Sequence, residues 1–130
     1  MDIIGEVKAR LAKHPDVRYQ SGRDFVSIPP QDPDGFTVRI DIDRSGFTVG
    51  FDGWHEHFDS AEDALECFAR GLSDACRLEV EFRGRIETKW IDQSLEDGCW
   101  VSDSEVGLIF IPFWLRKKIV HRQNHLIQGT

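Results

Sequence analysis

Apolar and polar residues alternate from Phe36 to Phe58, and two short turn signals cut this alternation into three runs. Phe36, Val38, Ile40 and Ile42 alternate with Thr37, Arg39, Asp41 and Asp43, which is the pattern of a strand with one face in a core. Arg44, Ser45 and Gly46 then turn the chain into Phe47, Val49 and Phe51. Asp52-Gly53 is the strongest two-residue hairpin signal of the chain, and beyond it Trp54, Glu56 and Phe58 alternate with His55 and His57. A three-strand antiparallel meander is therefore expected at the centre of the fold.

Helical periodicity brackets this meander. Ile3, Ile4, Val7 and Leu11 form an apolar stripe behind Asp2, an N-cap residue, and Pro15 ends the helix near His14. After Asp59 and Ser60, a second stripe runs through Ala61, Ala64, Leu65, Phe68, Ala69 and Leu72 to Cys76, with Glu62 and Asp63 favourable in the first turn. Gly71 weakens that helix by about 1 kcal/mol relative to Ala, so a close contact against the sheet is expected there. Between the first helix and the meander, residues 17–20 and 24–28 read as short extended pieces, followed by a proline-rich loop over residues 29–35.

The last third returns to strands. Leu78, Val80 and Phe82 alternate with charged residues, Arg83-Gly84 turns into Ile86, Thr88 and Trp90, and residues 92–98 read as an acidic loop. Residues 100–113 are apolar on both faces, which predicts a central or covered strand; residues 114–130 fit either an edge strand or a short helix. The whole reads as one α+β domain over residues 1–130, a mainly antiparallel sheet of about six to eight strands with two helices packed on one face.

Composition narrows the function classes. With 130 residues, 40% apolar, 11% aromatic and 30% charged, the chain is long enough to bury a core without disulfides or metal, and it is neither disordered nor fibrous. No apolar run approaches the ~20 residues of a membrane helix, so no membrane partner is expected. The N-terminus lacks the pattern of a secretory signal, and three cysteines without a CxxC pair fit a reducing compartment. A cytoplasmic protein is expected.

No nucleotide, hydrolase or zinc-protease motif is present, and no cofactor is expected. The pair most suggestive of chemistry is His55 and His57, which a strand would point to the same side, as in some metal sites. Their string, HEHFDSAE, superficially resembles the cupin pattern, but Glu62 falls in the first turn of a helix and the bracketing glycines are not at the expected positions.

Charge is the other clue. The formal net charge is -7, and all 23 acids precede Val106. The last 25 residues hold only bases, Arg116, Lys117, Lys118 and Arg122, beside Trp114. The acidic remainder disfavours nucleic acid. Asp41, Asp43 and Asp52 gather at the turns of the meander, and such a surface suits steering onto a basic partner. The leading expectation is a non-enzymatic protein-binding module of inhibitor or immunity type. Its expected contacts are Asp41, Asp43, Asp52, Trp114, Arg116, Lys117, Lys118 and Arg122, and a homodimer is compatible with them. The alternative is a small metal-dependent enzyme or ligand-binding protein centred on His55 and His57.

Overall fold

Asp2 caps α1 (Ile3–Leu11), its carboxylate accepting from the Gly5 amide at 3.1 Å, and the helix buries Ile3, Ile4, Val7 and Leu11. The computed structural model describes residues 2–127. The extended pieces that follow are β1 (Gln20–Ser21) and β2 (Phe25–Ile28); of the first predicted run only Gln20 is strand. The meander is as expected, with β3 (Val38–Asp43), β4 (Gly46–Phe51) and β5 (Trp54–Phe58). The Asp52 turn residue adopts φ 51°, the left-handed conformation that Asn, Asp and Gly tolerate.

Register explains the core. Val26 lies opposite Ile40 and Ile40 opposite Val49, while Ile28, Val38 and Phe51 form the next row, so one face of this sheet is continuously apolar. That face carries α1 against β2 and α2 (Ala61–Leu72) against β3, β4 and β5. Ser60 caps α2 through the Asp63 amide. Gly71 is required at its place, because a methyl there would run into the Phe51 ring. The helix ends at Leu72, and Cys76 opens the next strand instead of extending the helical stripe.

The expected single sheet is two antiparallel sheets, one of five strands in the order β1-β2-β3-β4-β5 and one of four. The second consists of β6 (Cys76–Arg83), β7 (Ile86–Glu96), β8 (Cys99–Gly107) and β9 (Lys117–Arg122), in the order β8-β7-β6-β9. The chain crosses from β5 to β6 through α2, and β6 finds both its partners, β7 and β9, downstream, so the sheets never join edge to edge.

Two further expectations are corrected. Residues 92–96 belong to β7, and only Asp97 and Gly98 form the turn. The strand accommodates the acid because Asp92, 1% exposed, is neutralised by Arg70 of α2. Residues 100–113 are not a central strand: β8 is a sheet edge that stops at Gly107, and residues 108–116 cross uncovered to the opposite edge. The tail resolves in favour of a strand, β9, while residues 128–130 lie outside the described residues.

Polar side chains stitch the sheets together. Buried Asn124 accepts from the Phe36 amide at 3.2 Å and donates to the carbonyls of Phe36 at 3.1 Å and Gly71 at 2.9 Å. Trp54 donates its indole N–H to Ser104 Oγ at 2.9 Å, which pins β5 against β8. Among the described residues no helix is long and apolar enough to cross a membrane.

Candidate functional site

Where α2 passes β5 and the β7-β8 hairpin, a cleft of about 310 Å³ opens to solvent. Glu56 enters it from β5, in phase with Trp54 and Phe58. Asp63, Glu66, Cys67 and Arg70 enter from one side of α2, at helical spacing, and Asp92, Asp103 and Ser104 from the hairpin.

The floor of the cleft is internally balanced. Arg70 grips Asp92 with both terminal nitrogens, at 3.0 and 2.5 Å, and donates to Ser94 Oγ at 3.2 Å. Burial is the largest single influence and works against the Arg70 charge, but the hydrogen bond to Asp92 together with the attraction of the acidic groups around it holds the pKa above its ordinary value. Cys67 is no nucleophile at neutral pH, because burial pushes its thiol up to about 12.

The rim is unbalanced. Asp103 accepts a hydrogen bond from the Ser94 hydroxyl and stands 4.0 Å from Arg70, whereas Glu56 and Glu66 form no ion pair among the described residues. Four carboxylates over a neutralised floor attract an ammonium or guanidinium group. The sequence held one sign of this site: Glu56 shares the strand phase of Trp54 and Phe58, and so falls on the side of β5 that the cleft borders, although it is itself exposed.

The acids singled out from sequence serve the fold. Asp41 is held by Arg39 in a two-pronged pair at 2.8 and 2.9 Å. Asp43 closes the β3-β4 turn by accepting from the Ser45 hydroxyl at 2.6 Å and amide at 2.8 Å, which lowers its pKa. Asp52 accepts from the Thr37 amide at 2.9 Å and from Arg122 at 2.6 Å, and Arg122 also reaches Glu87 at 2.9 Å. Arg122 is thereby a cross-brace between the two sheets.

The other predicted bases lie together elsewhere. Trp114, Arg116, Lys117 and Lys118 sit at the exit of the β8-β9 connection; Lys117 pairs with Glu81 at 3.4 Å. His55 and His57 do share the solvent side of β5, as their spacing requires. His57 Nε2 lies 2.9 Å from the Ser45 carbonyl and 3.4 Å from Asp59. No group of three or more His, Cys, Asp and Glu side chains converges on a metal-sized space among the described residues.

A separate groove of about 260 Å³ between the helices, lined chiefly by Val7, Leu11, Leu65, Phe68 and Leu72, offers shape without orienting carboxylates. Comparison with protein-family models, with curated proteins and with solved structures finds no match for this chain.

Proposed function

We propose that the protein is a non-enzymatic binding module of inhibitor type, acting in the cytoplasm, that takes a basic side chain of a protein partner into the cleft between α2 and the β7-β8 hairpin. The observation that carries this reading is the unpaired rim formed by Glu56 and Glu66 over the satisfied Arg70–Asp92 pair. Such a rim gains a new ion pair on docking without breaking an old one. An unsatisfied acidic edge also speeds encounter with a cationic surface. Three free cysteines support the reducing compartment.

The test is affinity capture from the protein's own cells, with E56K/E66K as bait beside E96K/D97K. Both variants shift net charge equally, and Glu96 and Asp97 are exposed at the far hairpin turn. A basic protein retained by the wild type and by E96K/D97K but lost by E56K/E66K is the expected result. Identical captured sets from the two variants would overturn the cleft as the binding site.

A further inference from the structure

The uncovered connection between β8 and β9 is the least expected surface of the molecule. Ile109 and Phe110 are each 90% exposed, Phe113 75% and Trp114 74%. Single exposed apolar residues are ordinary, but a contiguous run of this kind marks a contact surface. From Gly107 to Leu115 the only side-chain hydrogen-bonding group is the Trp114 indole N–H.

Cations surround the base of this run. Arg116 and Lys118 follow it, and Arg85 projects from the β6-β7 turn, whose Gly84 amide donates to the Arg116 carbonyl at 2.8 Å. None of these three forms an ion pair among the described residues. Arg116, Lys117, Lys118 and Gly84 line a shallow recess of about 470 Å³.

The backbone of the run is partly satisfied from within. Leu108 donates to the Thr88 carbonyl at 2.9 Å, Phe113 to Ile111 at 2.8 Å and Leu115 to Pro112 at 3.0 Å, and Pro112 has no N–H to satisfy. Arg83 approaches the Phe113 and Leu115 carbonyls at 3.4 and 3.5 Å. These bonds lower the cost of moving the tip out of water.

We propose that residues 108–115 are a membrane-surface anchor, whose apolar tip enters the interface of an anionic bilayer while Arg85, Arg116 and Lys118 meet the lipid phosphates. Apolar and aromatic residues above a basic collar are the chemistry that binds such interfaces. The acidic body is repelled by the same surface, which orients the molecule tip-down. A protein groove is the poorer fit, because the tip offers almost no polar group to set a register. A second copy is disfavoured too, since pairing two tips brings like-charged collars together. The contact lies on the membrane and needs no spanning helix.

Co-sedimentation of the full chain with vesicles of phosphatidylcholine and phosphatidylglycerol, three parts to one, and with pure phosphatidylcholine vesicles, tests this. Binding is expected to the anionic vesicles and to weaken with salt. I109S/F110S should lower partitioning at least about tenfold, and R116Q/K118Q about fivefold for each charge removed. Brominated lipid should quench the tryptophan fluorescence of the wild type, and the W114F variant should lose most of that quenching. The exposed positions leave folding intact, which thermal melting checks. No sedimentation with anionic vesicles overturns the anchor. So does sensitivity to R116Q/K118Q alone, the mark of general polyanion binding. A dimer that I109S/F110S converts to monomer would assign the tip to a second copy instead.

Discussion

The meander and the β8-β9 connection are both rich in apolar residues, yet one is the interior of the molecule and the other its most exposed surface. In the meander the apolar residues fall in alternate positions and line up across strands, so that Val26, Ile40 and Val49 present one surface for the helices to cover. In residues 108–115 they run consecutively, and no strand or helix of the described chain lies over them. Periodicity matched to a partner, more than hydrophobicity, decides burial.

The largest expected effect contrasts these regions directly. F51A, which empties a place stacked on Trp54 at 4.6 Å between ring centroids, should destabilise by about 3–5 kcal/mol in chemical denaturation. I109S/F110S should stay within about 0.5 kcal/mol of the wild type. A comparable loss from both would mean that the exposed run is structural, and the contrast would fail.

Next comes the polar joint between the sheets. N124A leaves the Phe36 amide and the Phe36 and Gly71 carbonyls without their partner inside the protein, and should cost about 2–4 kcal/mol by the same measurement. A neutral result would show water taking its place.

The two Asp-Gly turns sharpen the comparison at a finer scale. Asp52 and Asp97 share φ 51°, but Asp52 is braced by Arg122 and a methyl on Gly53 would strike Trp90, whereas nothing lies within 4 Å of the same methyl on Gly98. G53A should therefore lower the melting temperature more than G98A, whose effect is limited to about 1 kcal/mol of backbone strain. Equal effects would mean that the Trp90 ring yields to the added methyl at little cost.

Thiol labelling extends the contrast to reactivity. Cys99 is exposed, whereas Cys67 and Cys76 are buried with thiol pKa values pushed up, Cys67 to about 12. At neutral pH one thiol should react quickly with maleimide, and the other two only as the protein unfolds.

The smallest effect is at Asp43. Its folded pKa lies below the ordinary carboxylate value because the Ser45 hydroxyl and amide donate to it. Its contribution to stability is thus present above the unfolded pKa and lost as pH falls through the lowered folded value. D43N should flatten the acid side of the stability profile slightly, and an unchanged profile would remove Asp43 from the account.

The misplacements in the last third share one physical cause. Asp92, Glu96 and their neighbours have the composition of a loop, and it is the guanidinium of Arg70, from a distant helix, joined by the Cys76 thiol, that makes a buried strand position tolerable to Asp92. The apolar run after Gly107 has the composition of a covered strand, but β9 occupies the place beside β6 that such a strand would need. The candidate site was legible only through Glu56, since its other walls come from elements far apart in the chain.

Helix caps at Asp2 and Ser60, strand alternation in the meander and the turns at Arg44 and Asp52 were set by the sequence itself, because each depends on residues within a few positions of one another. The division into two sheets, the neutralisation of Asp52 by Arg122 seventy residues away, the open rim at Glu56 and Glu66, and the uncovered tip at Phe110 were decided by tertiary structure. Whether a charge is paired or an apolar side chain covered depends on which distant segments the packing brings beside it, and no local pattern records that.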